Sequence, residues 1–139
     1  MSTYFNSSFI TIEHDEEIGA VIMNWKPVWL KPEEYKAALE KGLQLVKEKN
    51  LKNWIANLKE MKLITLENEK WTNEVWFPKA LKSSIRHMAL VLSDDVFNKV
   101  AVKKIMSEQQ VQSITTQNFS SVSDAKVWIK EKELVSQAN

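Results

Sequence analysis

Residues 18–25 read Ile-Gly-Ala-Val-Ile-Met-Asn-Trp, and this stretch decides the fold class. Its apolar side chains alternate between two faces, with Ile18, Ala20 and Ile22 on one and Val21, Met23 and Trp25 on the other. Successive side chains of a strand point to opposite faces of its sheet. A strand that is apolar on both faces must be covered on both, which is typical of a sheet between two layers of helix.

A second strand precedes this one. Residues 8–13 are rich in β-branched and aromatic side chains, and the polar residues 14–17 separate the two stretches. So short a connection joins antiparallel neighbours, because parallel strands need a crossover of a dozen residues or more. We therefore predict that the sheet contains an N-terminal antiparallel hairpin.

A helix is predicted at residues 32–50, where apolar side chains recur every three or four positions. The stripe comprises Tyr35, Ala38, Leu39, Gly42, Leu43 and Val46. Pro32 suits the first helical turn, and Glu33 and Glu34 stabilise the positive end of the helix dipole. Glycine costs about 1 kcal/mol relative to alanine inside a helix. The presence of Gly42 on the apolar stripe therefore predicts close packing against the sheet.

The rest of the chain alternates strands with helices. We predict strands at residues 53–58, 85–92 and 113–119, and helices after Thr65, at residues 94–107, and after Ser121 or Ser123. The helix after Thr65 should be interrupted near Phe77, because Pro78 disfavours helical geometry in the residue before it. Strands that alternate with helices imply parallel crossovers.

The predicted fold class is therefore α/β, in a single domain that spans residues 1–139. It has a mixed five-stranded sheet with the antiparallel hairpin at its N-terminal side and about four helices covering it. The length of 139 residues is close to the commonest size of one domain.

Composition excludes several classes of partner and chemistry. The net charge is +1, from 19 basic and 18 acidic residues, which provides no strong field for capturing nucleic acid or an anionic membrane. Cysteine is absent, so disulfides, thiolate zinc sites and cysteine nucleophiles are excluded. No secretory signal is visible, and no run approaches the ~18 apolar residues of a membrane span. We expect a cytoplasmic protein with no nucleic-acid partner and no membrane span.

Catalytic and metal-binding patterns are weak in this sequence. The two histidines, His14 and His87, lie on separate predicted elements, whereas a zinc site needs three or four ligands. Two glycines leave no phosphate-binding loop, and no serine lies in a nucleophile elbow. We expect no cofactor, no metal and no catalytic residue. An enzyme with a site dispersed over the strand ends, where open α/β sheets bind ligands, is the last of three hypotheses.

Six tryptophans are the unusual feature of the chain. Trp54 and Trp128 lie inside predicted elements and are expected in the core, since aromatic side chains dominate core burial. Trp71 and Trp76 are five residues apart, so we expect them to point to different sides of a helix that breaks at Pro78. Exposed aromatics at loops and helix ends mark binding surfaces, with burial under a loop as the alternative. The candidate binding residues are Trp29, Trp71, Trp76 and Phe77.

Four segments carry a family resemblance. They are residues 54–57 (WIAN), 71–78 (W-x-x-x-x-W-F-P), 88–97 (MALVLSDDVF) and 119–129, which ends in A-x-x-W-I. They resemble bacterial members of the SpoIIAA-like superfamily, which includes the STAS domains and has a subset grouped with the CRAL-TRIO lipid-binding fold. The resemblance covers nearly the whole chain and implies a SpoIIAA-like fold, although none of the segments is a catalytic motif.

The best-understood members of that superfamily carry an Asp-Ser pair after the third strand, where a kinase phosphorylates the serine. Residues 58–65 of this chain contain no such pair, and Thr65 is the only hydroxyl there. Thr65 is better explained as a helix N-cap, a position that threonine favours. The resemblance therefore implies a STAS-like module without the phosphorylation switch.

Two functions lead the hypotheses. The first is a non-enzymatic protein-interaction or regulatory module that docks an unknown protein partner, or a second copy in a dimer, through Trp29, Trp76 and Phe77. The second is a binder of a small apolar or lipid-like ligand, in which the same aromatic side chains line a concave pocket. Exposure of Trp29 and Trp76 would favour docking, whereas complete burial of all six tryptophans would indicate only a fold.

Overall fold

The computed structural model describes residues 1–62, 64–96 and 109–138. In these ranges the strands are β1 (Ser2–Asn6), β2 (Ile10–Asp15), β3 (Ala20–Trp25), β4 (Asn53–Asn57), β5 (His87–Val91), β6 (Gln109–Val111) and β7 (Ile114–Phe119). The α-helices described there are α1 (Pro32–Lys49), α2 (Leu66–Trp71), α3 (Phe77–Leu81) and α4 (Val122–Ala138). One turn of π-helix (Thr72–Trp76) joins α2 to α3.

The strands form one mixed sheet in the order β1-β2-β3-β4-β5-β7-β6. The first three strands are antiparallel, β3, β4, β5 and β7 run parallel, and β6 returns antiparallel to β7. The predicted α/β class, the mixed sheet and the antiparallel hairpin of β2 and β3 are confirmed.

The predicted number of five strands is wrong, because the sheet has seven in the described residues. The two additional strands, β1 and β6, lie at the two edges of the sheet. An edge strand pairs on one side only and is often short and polar. The sequence of β1, STYFN, and the three residues of β6 therefore lack the apolar alternation by which the inner strands were recognised.

Both faces of β3 are buried, as its sequence predicts. Val21, Met23 and Trp25 belong to the core that α1 covers, and Ala20 and Ile22 belong to a second core on the opposite face. The second core contains the buried α4 side chains Ala125, Trp128 and Ile129. The predicted core positions of Trp54 and Trp128 are confirmed, since they are 1% and 7% exposed.

Helix α1 packs closely on the sheet at Gly42. A Cβ atom added there would lie 2.5 Å from Cη2 of Trp54 and 2.8 Å from Sδ of Met23. Contacts that short do not occur between real side chains, so only glycine fits without a rearrangement of its neighbours. The predicted stripe is correct except that Leu45, and not Leu43, is fully buried.

The predicted caps are borne out by hydrogen bonds. The hydroxyl of Thr65 accepts from the backbone N–H of Asn68 at 3.1 Å, which makes Thr65 the N-cap of α2. The hydroxyl of Ser121 accepts from the N–H of Asp124 at 3.1 Å, which favours Ser121 over Ser123 as the start signal of α4.

The expected interruption near Phe77 does not occur. The chain stays helical from α2 through the π turn into α3, which contains Pro78 in its first turn. The backbone N–H of Phe77 donates to the carbonyl of Thr72, five residues earlier. The hydrogen-bond register therefore changes immediately before the residue that has no N–H to donate, and the helix absorbs the proline without breaking.

One predicted helix falls largely outside the described residues. Of the helix expected at residues 94–107, residues 94–96 are helical, and the remainder lies outside the described part of the chain. Within the described ranges, no helix has both the length and the apolar character that crossing a bilayer requires.

Candidate functional site

An apolar pocket of about 320 Å³ lies between the sheet and the layer formed by α1, α2, the π turn and α3. The described residues that line it are Trp25, Tyr35, Leu39, Trp54, Ala56, Leu58, Ile64, Thr72, Asn73, Trp76, Phe77, Met88, Leu90 and Thr116. Trp25 ends β3, Leu58 follows the end of β4, and Leu90 lies near the end of β5. The pocket therefore lies toward the carboxyl ends of the parallel strands, where open α/β sheets bind their ligands.

Helix α1 contributes one wall through Tyr35 and Leu39. These residues are four apart on the apolar stripe and so lie on the same face of the helix. The Tyr35 ring stacks on Trp25, with 5.4 Å between ring centroids and 20° between their planes. This stack joins the end of β3 to the first turns of α1 and fixes both side chains at the pocket.

Trp76, from the π turn, is held from two directions. Its indole Nε1–H donates to the carbonyl of Leu39 at 3.2 Å, and its ring lies 4.9 Å from that of Trp54. Only 3% of its surface is exposed. Because its one polar group is paired, Trp76 can be buried at the pocket without an unsatisfied donor.

Trp71 and Trp76 both pack toward α1, so the expectation that they point to different sides is wrong. Trp71 meets the edge of Tyr35 at 6.4 Å between centroids, and Trp76 donates to Leu39 one turn further along α1. The π turn is the cause. Its hydrogen bonds run between residues five apart, so residues with that separation complete one turn and return to the same side.

The four candidate binding residues do not form one exposed patch. Trp76 is buried, and Phe77 is half-buried; both line the pocket. Trp71 is half-buried against Tyr35 and is not among the described lining residues. Trp29 is 74% exposed, and the Lys62 ammonium lies 5.6 Å from its ring centroid. Of the alternatives left open by the sequence, burial is correct for Trp76 and exposure for Trp29.

Sequence reasoning did not assign Trp25, Tyr35, Trp54 or Thr72 to a site, although all four line the pocket. The predicted positions of Tyr35 on the buried stripe and of Trp54 in the core are correct but describe packing alone. A signal was available in Trp25, a large aromatic side chain at the carboxyl end of a strand covered on both faces. That end of a parallel strand is where a ligand pocket is expected.

One short hydrogen-bonded chain marks the polar end of the pocket. The hydroxyl oxygens of Tyr35 and Thr72 are 2.7 Å apart, and the Thr72 hydroxyl donates to the carbonyl of Asn68 at 2.7 Å. Since Thr72 has a single hydroxyl hydrogen, Tyr35 must be the donor to Thr72. Burial raises the pKa of the Tyr35 phenol above 10.0, the Thr72 hydroxyl lowers it, and the Glu69 carboxylate raises it.

The pocket lining is otherwise apolar and uncharged. None of the described lining residues is an aspartate, glutamate, lysine, arginine or histidine, and five of them carry aromatic rings. Across the described parts of the chain, histidine, aspartate and glutamate side chains nowhere converge in a group of three suited to a metal ion. The arrangement suits binding of apolar surface, because ligand pockets are mostly apolar with a few placed polar groups.

The opposite, amino end of the parallel strands is polar. Asn53, at the start of β4, is fully buried, and its amide donates at 2.8 Å to both the carbonyl of Ile18 and Oε1 of Glu133. Its Oδ1 lies 2.9 Å from Nδ1 of His87, so that ring nitrogen carries the hydrogen. This network ties the turn before β3, the start of β5 and α4 to one side chain, and Asn53 and Glu133 also line an open, largely polar pocket of about 530 Å³.

Comparisons with protein-family models, curated proteins and solved structures find no match to this chain. The resemblance to the SpoIIAA-like superfamily therefore stays a prediction, and function must be argued from the pocket itself.

Proposed function

We propose that this protein binds a small apolar ligand in the pocket between the sheet and α1 to α3. The observation that carries the proposal is the pocket's position and lining together: about 320 Å³ at the carboxyl ends of the parallel strands, with five aromatic rings and no described charge. Small-molecule sites typically measure about 300–1,000 Å³ and have a mostly apolar lining. This is the second of the two functions that lead the sequence hypotheses.

The pocket is suited to a ligand with about two fused rings. A ring system of tryptophan size buries roughly 150–250 Å² of surface. At about 25 cal/mol per Å² that burial stabilises a complex by roughly 4–6 kcal/mol. The corresponding dissociation constants run from tens of micromolar to roughly a millimolar, and additional contacts to the rigid aromatic walls make binding tighter.

The interaction module stays a prediction. Of the three side chains expected to dock a partner, Trp29 alone is fully exposed, and Trp76 is 3% exposed. An interface built on Trp29 has one anchor, whereas the pocket gathers five aromatic side chains in one concave site. The pocket therefore supports ligand binding better than docking.

The tryptophans supply a direct test, because each indole N–H gives its own NMR signal. Trp25, Trp54 and Trp76 line the pocket, whereas Trp128 belongs to the core on the other face of the sheet. Titration with indole should shift the first three signals and leave that of Trp128 unchanged. The signals are assigned with single Trp→Phe variants. An indole titration that moves no pocket signal would falsify the proposal.

A matched pair of variants separates the pocket from the general surface. Ala56→Leu adds three carbons to the wall of the pocket, and Ala37→Leu adds the same three to an exposed position on α1. We expect the first to weaken indole binding about tenfold or more and the second to leave it unchanged. Circular dichroism and the melting temperature check that both variants are folded. Equal affinities for the two folded variants would place the binding elsewhere.

A further inference from the structure

The polar end of the pocket has no spare hydrogen to donate at Tyr35 and Thr72. Each hydroxyl carries one hydrogen and two acceptor lone pairs. The Thr72 hydrogen is donated to the carbonyl of Asn68, and the Tyr35 hydrogen is donated to Thr72. Both lone pairs of the Tyr35 oxygen and one of the Thr72 oxygen are left over after these two bonds.

A third acceptor lies on the same helical turn. Asn68 is 3% exposed, and its side-chain Oδ1 has no hydrogen-bond partner. A buried polar atom without a partner costs roughly 1–3 kcal/mol and is uncommon in a native core. Asn68 is the residue whose carbonyl receives the Thr72 hydrogen. Because the Asn68 amide also carries two hydrogens and Asn68 is not among the described lining residues, the acceptor excess that faces the pocket belongs to Tyr35 and Thr72.

The surroundings also disfavour an anionic ligand. No described lining residue carries a positive charge that could pair with an anion. The charge that affects the Tyr35 phenol is negative, because after burial the Glu69 carboxylate contributes to raising its pKa. Burial of an unpaired charge in an apolar site is expensive.

Building on the proposed function, we infer that the ligand is an uncharged apolar molecule that carries a hydrogen-bond donor. A hydroxyl or N–H group on the ligand would donate to the hydroxyl oxygen of Tyr35 or Thr72. The remaining polar side chains of the described lining, Asn73 and Thr116, lie on the exposed helical side and on β7. They leave the acceptor excess at Tyr35 and Thr72 unchanged.

Three probes with one ring system test the two parts of this inference separately. Indole is neutral and has an N–H donor, N-methylindole is neutral without a donor, and indole acetate has the donor but is an anion. We expect indole to bind about fivefold or more tightly than N-methylindole and at least tenfold more tightly than indole acetate. Methylation increases apolar surface, so burial alone would reverse the first preference.

A double variant links the preference to the named oxygens. Tyr35→Phe with Thr72→Val removes both hydroxyls and keeps the shapes of the side chains close to the originals. N-methylindole should then bind at least as tightly as indole, because its additional carbon adds apolar surface. If the double variant fails to fold, as judged by circular dichroism, Thr72→Val alone should reduce the preference for indole over N-methylindole.

The result for each probe tests one part of the inference. Binding of N-methylindole as tight as that of indole overturns the donor requirement, and binding of indole acetate as tight as that of indole overturns the requirement for a neutral ligand. In both cases the proposed function stands, because the pocket signals still move. A preference for indole that survives in the folded double variant also overturns the inference. If none of the three probes moves the signals of Trp25, Trp54 and Trp76, the proposed function itself fails.

Discussion

The two ends of the parallel strands are built differently. At the amino end the buried amide of Asn53 is fully engaged, with contacts to Ile18, His87 and Glu133, and an open, largely polar pocket of about 530 Å³ lies beside it. At the carboxyl end the sheet and helices leave a pocket of about 320 Å³. The helix above it contains the buried Oδ1 of Asn68, which has no partner. Complete polar pairing stabilises a fold, whereas an apolar cavity and an unpaired buried atom cost stability and are tolerated at functional sites.

The largest expected loss of stability is tested by substituting two asparagines at opposite ends of β4. Asn53→Ala should lower the free energy of unfolding by about 3 kcal/mol, because it leaves buried partners unpaired. Asn57→Ala should cost about 1 kcal/mol, since Asn57 is half-buried and its amide donates to the side chain of Asn24. Urea denaturation of both variants measures the two values. Equal losses would contradict the difference between the two ends.

A smaller loss of stability is expected at Gly42, where α1 packs closely on the sheet beside the pocket. Gly42→Val places carbon atoms where Trp54 and Met23 already lie, which should cost about 2 kcal/mol. Ala37→Val, at an exposed position of the same helix, should cost about 0.5 kcal/mol from helix propensity alone. Thermal and urea unfolding measure the loss of stability of both variants. Similar losses of stability for the two variants would show that the core rearranges around Gly42 to accommodate a larger side chain.

The smallest change in the free energy of unfolding is expected near the carboxyl ends of the parallel strands. Asn68→Ala removes the unpaired Oδ1, while the backbone contacts of Asn68 with Thr65 and Thr72 remain. The relief of an unsatisfied acceptor opposes the loss of side-chain packing, so the free energy of unfolding should change by less than about 0.5 kcal/mol. The same urea titrations measure it. A loss as large as that of Asn53→Ala would show that the side chain of Asn68 stabilises the fold.

The features predicted correctly from the sequence are those that each depend on one local pattern. The two apolar faces of β3 indicate a sheet covered on both sides, and the stripe of α1 indicates where that helix packs. Gly42 indicates close packing against the sheet, because glycine destabilises the interior of a helix unless the packing leaves no space for a larger side chain. The caps at Thr65 and Ser121 follow from hydroxyls placed just before a helix. Each of these signals is contained in a few consecutive residues.

The features that were missed depend on packing between distant residues or on weak patterns. β1 has two adjacent aromatic residues among polar ones and β6 has only three residues, so no apolar alternation marks either edge strand. The burial of Trp76 depends on a π turn, and a helix of normal register would turn that side chain elsewhere. The pocket is a volume left between α1, the sheet and the turn at Thr72, and no segment by itself specifies an unfilled volume. The residues were visible in the sequence, but their convergence was not.

The π turn also determines how this protein can tolerate changes in length. A connection between helices and strands usually accepts one residue more or fewer with little effect on its neighbours. Within a helix, each residue advances the chain by about 100° around the axis. Insertion of one residue into the turn would therefore swing Trp76 away from Leu39 while Trp71 kept its place, whereas deletion of Asn73 would leave the two tryptophans four residues apart, on one face of an ordinary α-helix. A one-residue insertion at this point alters the rotational phase of the helix, and with it the aromatic ring that faces the pocket.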